Sequence, residues 1–470
     1  MAMKLKYSAR IWLLFCWLML PAGAWAEAQE QFISVLSYRT GALAHAGAAT
    51  FGGWIDYMEW VNSRGGINGV KIAWEECETS YETRRGVECY ERLKLKSKSR
   101  GSMIHPLSTG IAYELIDRVT ADKVPLVTIG YGRSDAVDGR YFPYVFPLVT
   151  TYQMQASAML AFIEQRSKVK NTGKPAGKSK GKAGLATLGG KRIAFVYHDS
   201  PFGKEPLQVL RAEAAVKKFR LIEIPVAPPG MDQREHWQKV QKEKADYVIF
   251  WGWGDMNSAG LKAAASAGFP RDRIIGVWWA GAEEDTLPAG DDAKGYIAAN
   301  FGISGKEIPL TQDILKSLYT QGKGNVKDIA NVGSVLYSRG LLHGVITVEA
   351  IRTAQTRFGK RPMTGEEIQW GLEHLKINQK RLRELGAEGM MPDTVVTCAD
   401  HEGSGMVMFQ QWDGVRWNKI SDYIEGNRPL VRKILGESSA QYAAEKRLEP
   451  RDCEAIDKQT GKRKRRSSKR

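Results

Sequence analysis

Two short segments of this chain combine hydroxyl, glycine and arginine residues in a way that suits binding of an anion. Ser108 and Thr109 stand just before a helix predicted over 111–121, where they can cap that helix or turn hydroxyl and amide groups toward a ligand anion. Arg133 lies in the segment GYGRS, after a strand predicted at 126–129. Its planar guanidinium can bind both oxygens of a carboxylate, and an exposed surface arginine is an equally good interpretation.

Aromatic residues follow three other predicted strands. Phe202 lies in HDSPFGKE, and two tryptophan pairs lie in FWGWGDMN and GVWWAG. A core position and a ligand wall are equally good interpretations of each tryptophan, because tryptophan commonly fills protein interiors. Both pairs close strands at the edge where parallel sheets bind ligands, so we expect Trp253 and Trp279 to line an apolar wall.

Motifs of common enzyme classes give weak signals. There is no Walker phosphate loop and no H-E-x-x-H zinc motif, and Gly252-x-Gly254 lacks the third glycine of a dinucleotide fingerprint. Asp400-His401-Glu402 could serve as an acid/base cluster, but a solvated polar loop is the favoured interpretation. We therefore expect no reaction, no cofactor and no metal.

Alternating strands and helices must position these residues. The early and middle strand candidates are 32–37, 70–74, 102–104, 126–129, 192–197, 221–224, 247–251 and 274–277. Helical segments separate most of them, which is typical of parallel βαβ units with right-handed crossovers. Two late candidates, 406–411 and 416–420, flank Asp413-Gly414 and predict an antiparallel hairpin.

The segment 59–78, EWVNSRGGINGVKIAWEECE, identifies a family resemblance. Helical apolar spacing stops at Gly65-Gly66, and Gly69 turns the chain into an alternating strand. A helix that ends in GGINGVKI resembles the first αβ unit of the periplasmic leucine/isoleucine/valine-binding protein family, the type I solute-binding proteins of ABC importers. The resemblance covers most of 32–422.

This resemblance implies an α/β fold of two doubly wound parallel-sheet lobes joined by three hinge crossings, near 146–150, 299–302 and 389–395. Lobe one would contain 27–147 and 301–390, including a helix at 332–351, and lobe two would contain 148–300 and 391–425. A basic disordered insertion at 166–191 would interrupt lobe two. Residues 1–26 are expected to be a signal peptide, 426–456 a C-terminal extension and 457–470 a basic disordered tail.

A ligand site between the lobes is also implied by the resemblance. Lobe one would bind the ligand through Ser108, Thr109 and the backbone of Tyr131 and Arg133, with His45 at the cleft rim. Phe202 of lobe two would cover the ligand with its ring.

One departure from the family concerns the ligand ammonium. The carboxylate that binds this group in amino-acid-binding members falls on Ala280 here, and Glu283 or Glu284 can replace it only with a small loop shift. A hydrophobic or aromatic carboxylate therefore fits better than an α-amino acid. Tryptophans alone would also suit a quaternary ammonium.

The N-terminus and the cysteines indicate export. Lys4, Lys6 and Arg10 precede an apolar run that is too short to span a bilayer and that ends before Ala24-Trp25-Ala26, as in a cleaved signal. Four cysteines remain after position 26, an even set that favours two disulfides in an oxidising compartment. Sequence order suggests the pairs Cys77-Cys89 and Cys398-Cys453, although spacing does not fix the connectivity.

The formal charge of +16 is concentrated in three segments. Residues 4–10, 166–192 and 458–470 together hold 20 lysines and arginines and no acids, which leaves −4 for the rest of the chain. Solvated basic segments are favoured over a nucleic-acid site, since an exported chain meets little nucleic acid.

The sequence thus predicts a periplasmic, monomeric solute-binding protein that captures a small hydrophobic or aromatic carboxylate or amino acid by hinge closure and delivers it to an inner-membrane ABC permease. A ligand-sensing periplasmic receptor subunit of the same fold is the alternative.

Overall fold

The structure, a computed structural model, describes residues 30–41, 43–96, 103–172 and 188–456. The predicted signal peptide and basic tail lie outside these ranges. Part of the insertion that was predicted to be disordered is helical, because a helix continues to Thr172, while residues 173–187 lie outside the described part. None of the helices in the described ranges is long and apolar enough to cross a membrane.

Strands and helices alternate over most of the described chain. The strands are β1 (Gln31–Ser37), β2 (Ile72–Glu78), β3 (Leu126–Val127), β4 (Val145–Phe146), β5 (Arg192–His198), β6 (Arg220–Val226), β7 (Tyr247–Trp251), β8 (Ile274–Gly276), β9 (Ile297–Asn300), β10 (Lys376–Ile377), β11 (Thr394–Val395), β12 (Met406–Trp412), β13 (Trp417–Lys419) and β14 (Ile424–Glu425). The helices are α1 (Ala44–Ser63), α2 (Thr83–Leu93), α3 (Thr109–Asp122), α4 (Tyr152–Thr172), α5 (Pro201–Lys204), α6 (Leu207–Lys217), α7 (Arg234–Lys242), α8 (Asp255–Ser266), α9 (Glu283–Thr286), α10 (Pro309–Ser317), α11 (Val335–Phe358), α12 (Gly365–Glu373), α13 (Gln379–Glu384) and α14 (Arg428–Lys446).

Lobe one is built on a parallel sheet. β1 pairs with β2, and parallel bridges from Ile104 to Ser34 and to Leu126 join this pair to β3 and β4. α1 and α11 pack against each other unusually closely, because glycines lie at their contact. A Cβ atom on Gly53 would lie 2.3 Å from the carbonyl oxygen of Tyr337, so this close approach requires glycine.

Lobe two is built on an eight-stranded sheet in the order β13-β12-β9-β8-β7-β5-β6, with β14 also paired to β12. β5 to β9 run parallel, whereas β12 is antiparallel to both β9 and β13. The late antiparallel hairpin was therefore predicted correctly. Together the two sheets confirm the predicted α/β fold class.

Three connections carry the chain between the sheets, and the first and third are hydrogen-bonded to each other. The first follows β4, the second follows β9, and the third lies between β11 and β12, just after the predicted crossing at 389–395. The backbone N–H of Val149 in the first connection donates to Glu402 O in the third at 2.8 Å. Ile303 N in the second connection donates to Gly389 O, in the segment that leads to β11, at 2.9 Å. The connections and this segment therefore form one hinge region.

The segment Asp400-His401-Glu402 lies in the third connection and corrects a sequence-based interpretation. His401 and Glu402 are completely buried, so a solvated loop is wrong for both residues. His401 Nδ1 lies 2.8 Å from Val145 O, and Glu402 accepts hydrogen bonds from Thr151 N at 2.9 Å and Arg432 Nη2 at 2.6 Å. They are packing and hydrogen-bonding groups of the hinge region.

The C-terminal extension contacts both lobes. α14 packs on α4 and α6 of lobe two, while Ser438 Oγ donates to Asp135 at 2.7 Å and Tyr442 donates to Asp117 at 2.9 Å in lobe one. The structure pairs Cys398 with Cys453 and Cys77 with Cys89, as sequence order suggested. The first of these disulfides holds the end of the extension against the third connection.

Candidate functional site

A small cavity lies between the lobes, at the carboxyl ends of the strands, and is called here the cleft cavity. Its empty space is about 200 Å³ when the part that opens to solvent is included. Both lobes contribute to its wall. The lining residues are Tyr81, Leu107, Thr109, Tyr131, Tyr152, Phe202, Trp253 and Trp279.

Lobe one contributes two loops that are fixed to each other. Leu107 N donates to the hydroxyl of Tyr131 at 2.7 Å, and that hydroxyl donates to Val127 O at 3.4 Å. Ser108 caps α3 by accepting a hydrogen bond from Ile111 N at 3.4 Å, and Thr109 is the first residue of that helix. The N-terminus of α3 therefore reaches the cavity wall at Thr109, while Ser108 lies behind the wall as a cap.

Lobe two contributes the aromatic part of the wall. The rings of Trp253 and Trp279 meet edge to face with their centres 4.7 Å apart, and Trp279 Nε1 donates to the Tyr152 hydroxyl at 2.9 Å. Trp253 Nε1 is buried and has no hydrogen-bond partner among the described residues, so it can donate to a ligand. Trp251 and Trp278, the other members of the two pairs, have no exposed surface and belong to the core.

The side chains that line the cleft cavity are neutral. Burial raises the pKa of Tyr81 to about 12, and it raises the pKa of Tyr131 and Tyr152 well above the usual value of a phenol. These hydroxyls therefore stay protonated near neutral pH and act only as hydrogen-bonding groups. The cavity wall, as described, recognises shape, apolar surface and hydrogen bonds.

Two predicted site residues lie away from the cavity wall. Arg133 donates twice to Asp135, at 2.6 and 2.8 Å, and its guanidinium carbon lies 4.5 Å from the ring centre of Tyr442. Because Asp135 occupies its fork in this arrangement, the structure gives no support to the prediction that Arg133 binds a ligand carboxylate. His45, which was predicted at the cleft rim, does not line the cavity, and its Nε2 lies 3.9 Å from an Asp255 oxygen of lobe two.

The acidic residues considered as a replacement amine clamp contact lobe one instead of the cavity. Glu283 accepts a hydrogen bond from Val335 N at 2.8 Å, and Glu284 accepts one from Ser334 Oγ at 3.3 Å, both at the N-terminus of α11. Burial raises the pKa of Glu284 to about 8 and that of Asp285 to about 7. Ala280 is completely buried.

Further hydrogen bonds hold the lobes together around the cavity. Glu205 of lobe two accepts from Ser134 N at 2.6 Å and from the Tyr113 hydroxyl at 2.9 Å in lobe one. Trp278 Nε1 of lobe two donates to Gly130 O of lobe one at 2.9 Å. These contacts, with those of Glu283 and Glu284, define a closed arrangement of the two lobes.

Sequence reasoning missed several residues of the site. Tyr81, which follows β2, and Tyr152, which begins α4, line the cavity, but neither lies in a loop that was considered as a candidate. Arg339, a buried residue of α11, contacts the rings of Trp278 and Trp279 and was also missed. The helix that contains Arg339 was predicted. Its contact with tryptophans far away in the sequence cannot be recognised from the residues around it.

Known structures share this architecture. A structure described as an ABC transporter permease from the Pseudomonas fluorescens group is 42% identical, with a TM-score of 0.82, over 91% of this chain and 100% of that chain. A branched-chain amino acid ABC transporter from Thermus thermophilus with bound valine is 22% identical, with a TM-score of 0.67, over 86% of this chain and 99% of that one. A solute-binding protein from R. palustris in complex with benzoate is 15% identical, with a TM-score of 0.60, over 83% of this chain and 96% of that one.

No curated protein sequence gives a significant match to this chain. The family model described as periplasmic binding protein matches residues 30–416, which include the lobe-one sheet, the lobe-two sheet except β13 and β14, and all three connections between the sheets. The fold, the cleft and this match agree with the resemblance carried by the segment 59–78. The chain belongs to the periplasmic binding protein family and has its type I fold.

Proposed function

We propose that this protein is the extracytoplasmic solute-binding protein of a branched-chain-amino-acid-type ABC importer. It captures a small hydrophobic or aromatic carboxylate or amino acid between its lobes and delivers it to the permease, without performing a reaction. The observation that carries the proposal is the cleft cavity, which takes wall residues from both lobes. A ligand that contacts both walls stabilises the closed arrangement, because it binds that arrangement better than an open one.

The ligand contacts in this proposal come from five residues that sequence reasoning named and two that it missed. Thr109 and Tyr131 present hydroxyl groups from lobe one, and Phe202, Trp253 and Trp279 enclose an apolar group from lobe two. Tyr81 and Tyr152 are the two residues that it missed, and Leu107 completes the wall. Ser108 acts through the helix that it caps, and His45 closes the rim.

Cellular placement forms part of the same proposal. Cleavage after residue 26 would release a mature monomer into the periplasm, where the two disulfides form and the permease is reached from outside the cell. The proposal includes no nucleic-acid partner. It is supported by membership of a family of extracytoplasmic binding proteins.

A thermal-shift panel on the mature protein tests this function. After unfolding and refolding with intact disulfides, the protein is heated with leucine, valine, benzoate, isovalerate or choline. A ligand at 100 times its dissociation constant should add about 2.7 kcal/mol of stability. We expect at least one of the carboxylates or amino acids to stabilise the protein, and stabilisation by choline alone would contradict the proposed ligand class.

A matched pair of tryptophan variants tests the place of binding. Trp253→Leu removes a ring and an N–H group from the cavity wall, so we expect the affinity for the stabilising ligand to fall by roughly tenfold or more. Trp417→Leu alters a tryptophan of β13 that does not line the cavity, and should leave that affinity unchanged. Equal affinities for the two variants would place the ligand elsewhere.

A further inference from the structure

Arg339 is a buried cation at the boundary between the lobes. Only 2% of its surface is exposed, and its guanidinium carbon lies 4.5 Å from the ring centre of Trp278 and 5.5 Å from that of Trp279. Asn300 accepts one long hydrogen bond from Nη2, at 3.4 Å. Nε and Nη1 have no hydrogen-bond partner among the described residues. Most of the donor capacity of this guanidinium is therefore unused.

The acidic residues near Arg339 do not pair with it. Glu283, Glu284 and Asp285 face it from α9, but none of the carboxylates in the described ranges lies within 4.0 Å of the guanidinium. Burial raises the pKa of all three, to about 8 for Glu284 and to about 7 for Asp285, so these two residues carry only part of their negative charge near neutral pH. The cation is left without a direct anionic partner.

Burying a guanidinium without acceptors is energetically costly, and cation–π contact with Trp278 offsets only part of that cost. An anion that reaches the guanidinium at some stage of the protein's cycle would supply the missing acceptors and offset the rest of this cost. Tyr38 lies close enough to interact electrostatically with Arg339, and its buried hydroxyl also has no hydrogen-bond partner among the described residues. The Tyr38 hydroxyl is thus a second unused donor within electrostatic range of the cation.

Arg339 adjoins the cleft cavity through two aromatic residues. Trp279 contributes to the cavity wall and also lies against the guanidinium. Tyr38 packs edge to face on Tyr81, another wall residue, with ring centres 5.1 Å apart. The guanidinium is therefore one aromatic layer from the cavity, and a ligand whose apolar group lies against the wall can bring an anionic group to Arg339 if the ring of Trp279 or Tyr81 moves aside.

We propose that Arg339 is the anchor for the carboxylate of the ligand, with Tyr38 as an auxiliary donor. This inference rests on the proposed function and narrows it: the carboxylate is a required part of the ligand, and Arg339 takes the role that the sequence suggested for Arg133. An amide of the same shape lacks the negative charge and binds more weakly.

Calorimetric titration of two matched acid and amide pairs tests the anchor. The probes are benzoate with benzamide, and isovalerate with isovaleramide. We expect wild-type protein to prefer the acid of at least one pair, and Arg339→Gln to lose roughly 10- to 100-fold of its affinity for that acid while its affinity for the amide changes little. Arg339→Lys should recover part of the loss, because it restores the charge without the planar fork.

Arg133→Gln is the matched control, since the Arg133 guanidinium is held by Asp135 outside the cavity wall. This variant should bind the acids as wild type does. If Arg339→Gln also binds them as wild type does, the anchor is refuted while the proposed function stands. If wild-type protein prefers the amides, both the anchor and the carboxylate class are refuted.

Thermal melting of the protein without ligand tests the role of Arg339 independently of the four probes, so it applies even if none of them binds. If Arg339 is retained for a ligand, Arg339→Met should melt at or above the temperature of wild-type protein near pH 6, because it removes an unpaired buried cation. If Arg339 instead serves as a structural counter-ion of Glu283, Glu284 and Asp285, Arg339→Met melts lower and the anchor is refuted.

Discussion

Thr109, Tyr131 and Tyr152 give the cleft cavity its hydroxyl groups, while Phe202 and two tryptophans give it ring faces. None of these side chains carries a charge near neutral pH. A charged group of the ligand must therefore be bound by residues just outside the wall, as proposed above for Arg339. Several carboxylates also lie there, at contacts between the lobes, and their protonation can affect closure.

Glu205 should make ligand affinity depend on pH. Burial between the lobes raises its pKa to about 7, although hydrogen bonds from Ser134 and Tyr113 oppose the shift, and Asp135 reinforces it. A separated lobe would hydrate this carboxyl and return its pKa toward the ordinary value of 4.5. Closure thus takes up a proton between these two values, so lower pH favours closure. We expect affinity to rise as the pH falls from about 8 to about 5, measured by titration calorimetry.

Glu205→Gln should flatten this pH dependence, since the side chain no longer titrates. Part of the dependence should remain, because Glu284 and Asp285 also have raised pKa values at the interlobe boundary. Glu213→Gln is the control: Glu213 bonds to Ser157 and Lys217 within lobe two, so lobe separation does not expose it. If the affinity of Glu205→Gln depends on pH as that of wild-type protein does, protonation of Glu205 is not coupled to closure.

At single residues, the sequence placed both tryptophan pairs at strand ends, and the structure has Trp253 and Trp279 on the wall of the cleft cavity. Contact of these rings with a ligand stays a prediction. Arg133 also lies past a strand, but an aspartate two residues later occupies its fork. Whether a guanidinium binds a ligand or a neighbouring carboxylate depends on local geometry, which residue types alone do not determine.

At the scale of elements, α14 and the third connection form one unit. Arg432 of α14 reaches Asp400 at 2.9 Å and the completely buried Glu402 at 2.6 Å, while Arg428 lies 3.7 Å from Glu402. Glu402 in turn accepts from Thr151 N in the first connection. The C-terminal helix therefore neutralises a carboxylate that links two hinge connections.

Arg432→Met should destabilise the protein by about 3 kcal/mol, because it leaves Glu402 buried without its nearest cation. Urea unfolding measures this loss. Lys433→Met is the control on the same helix: Lys433 is exposed and lies 4.0 Å from an exposed glutamate, so its loss should cost under about 0.5 kcal/mol. Equal effects of the two substitutions would show that the buried pair does not stabilise the hinge region.

Strands and helices could be predicted where an apolar run and the turn residues that end it indicate the same boundaries. β7 lies at the predicted residues, because its apolar run YVIFW ends at a glycine-rich loop. β9 was not predicted as a strand, since Ile297–Asn300 contains two alanines and one asparagine and becomes a strand through pairing with β8 and β12. Pairing partners that arrive late in the chain are not visible in a local pattern.

At the scale of the whole molecule, the described arrangement has the lobes in contact. Glu205, Trp278 and Glu283 of lobe two each bond to the backbone of lobe one. The sequence predicted this architecture well, because a family signature and the strand and helix alternation agreed. The docking of α14 across both lobes was not predicted, since it depends on contacts between residues far apart in the chain.

Pulsed electron resonance between one spin label on each lobe measures closure most directly. Arg84, near the start of α2, and Lys262 of α8 are exposed, and the four described cysteines are paired, so cysteines introduced at these two positions can be labelled selectively. If the ligand is captured by closure, adding the carboxylate or amino acid that stabilises the protein shifts the label distances to a shorter, narrower distribution that matches the closed arrangement. Binding of that ligand with an unchanged distribution would contradict capture between moving lobes.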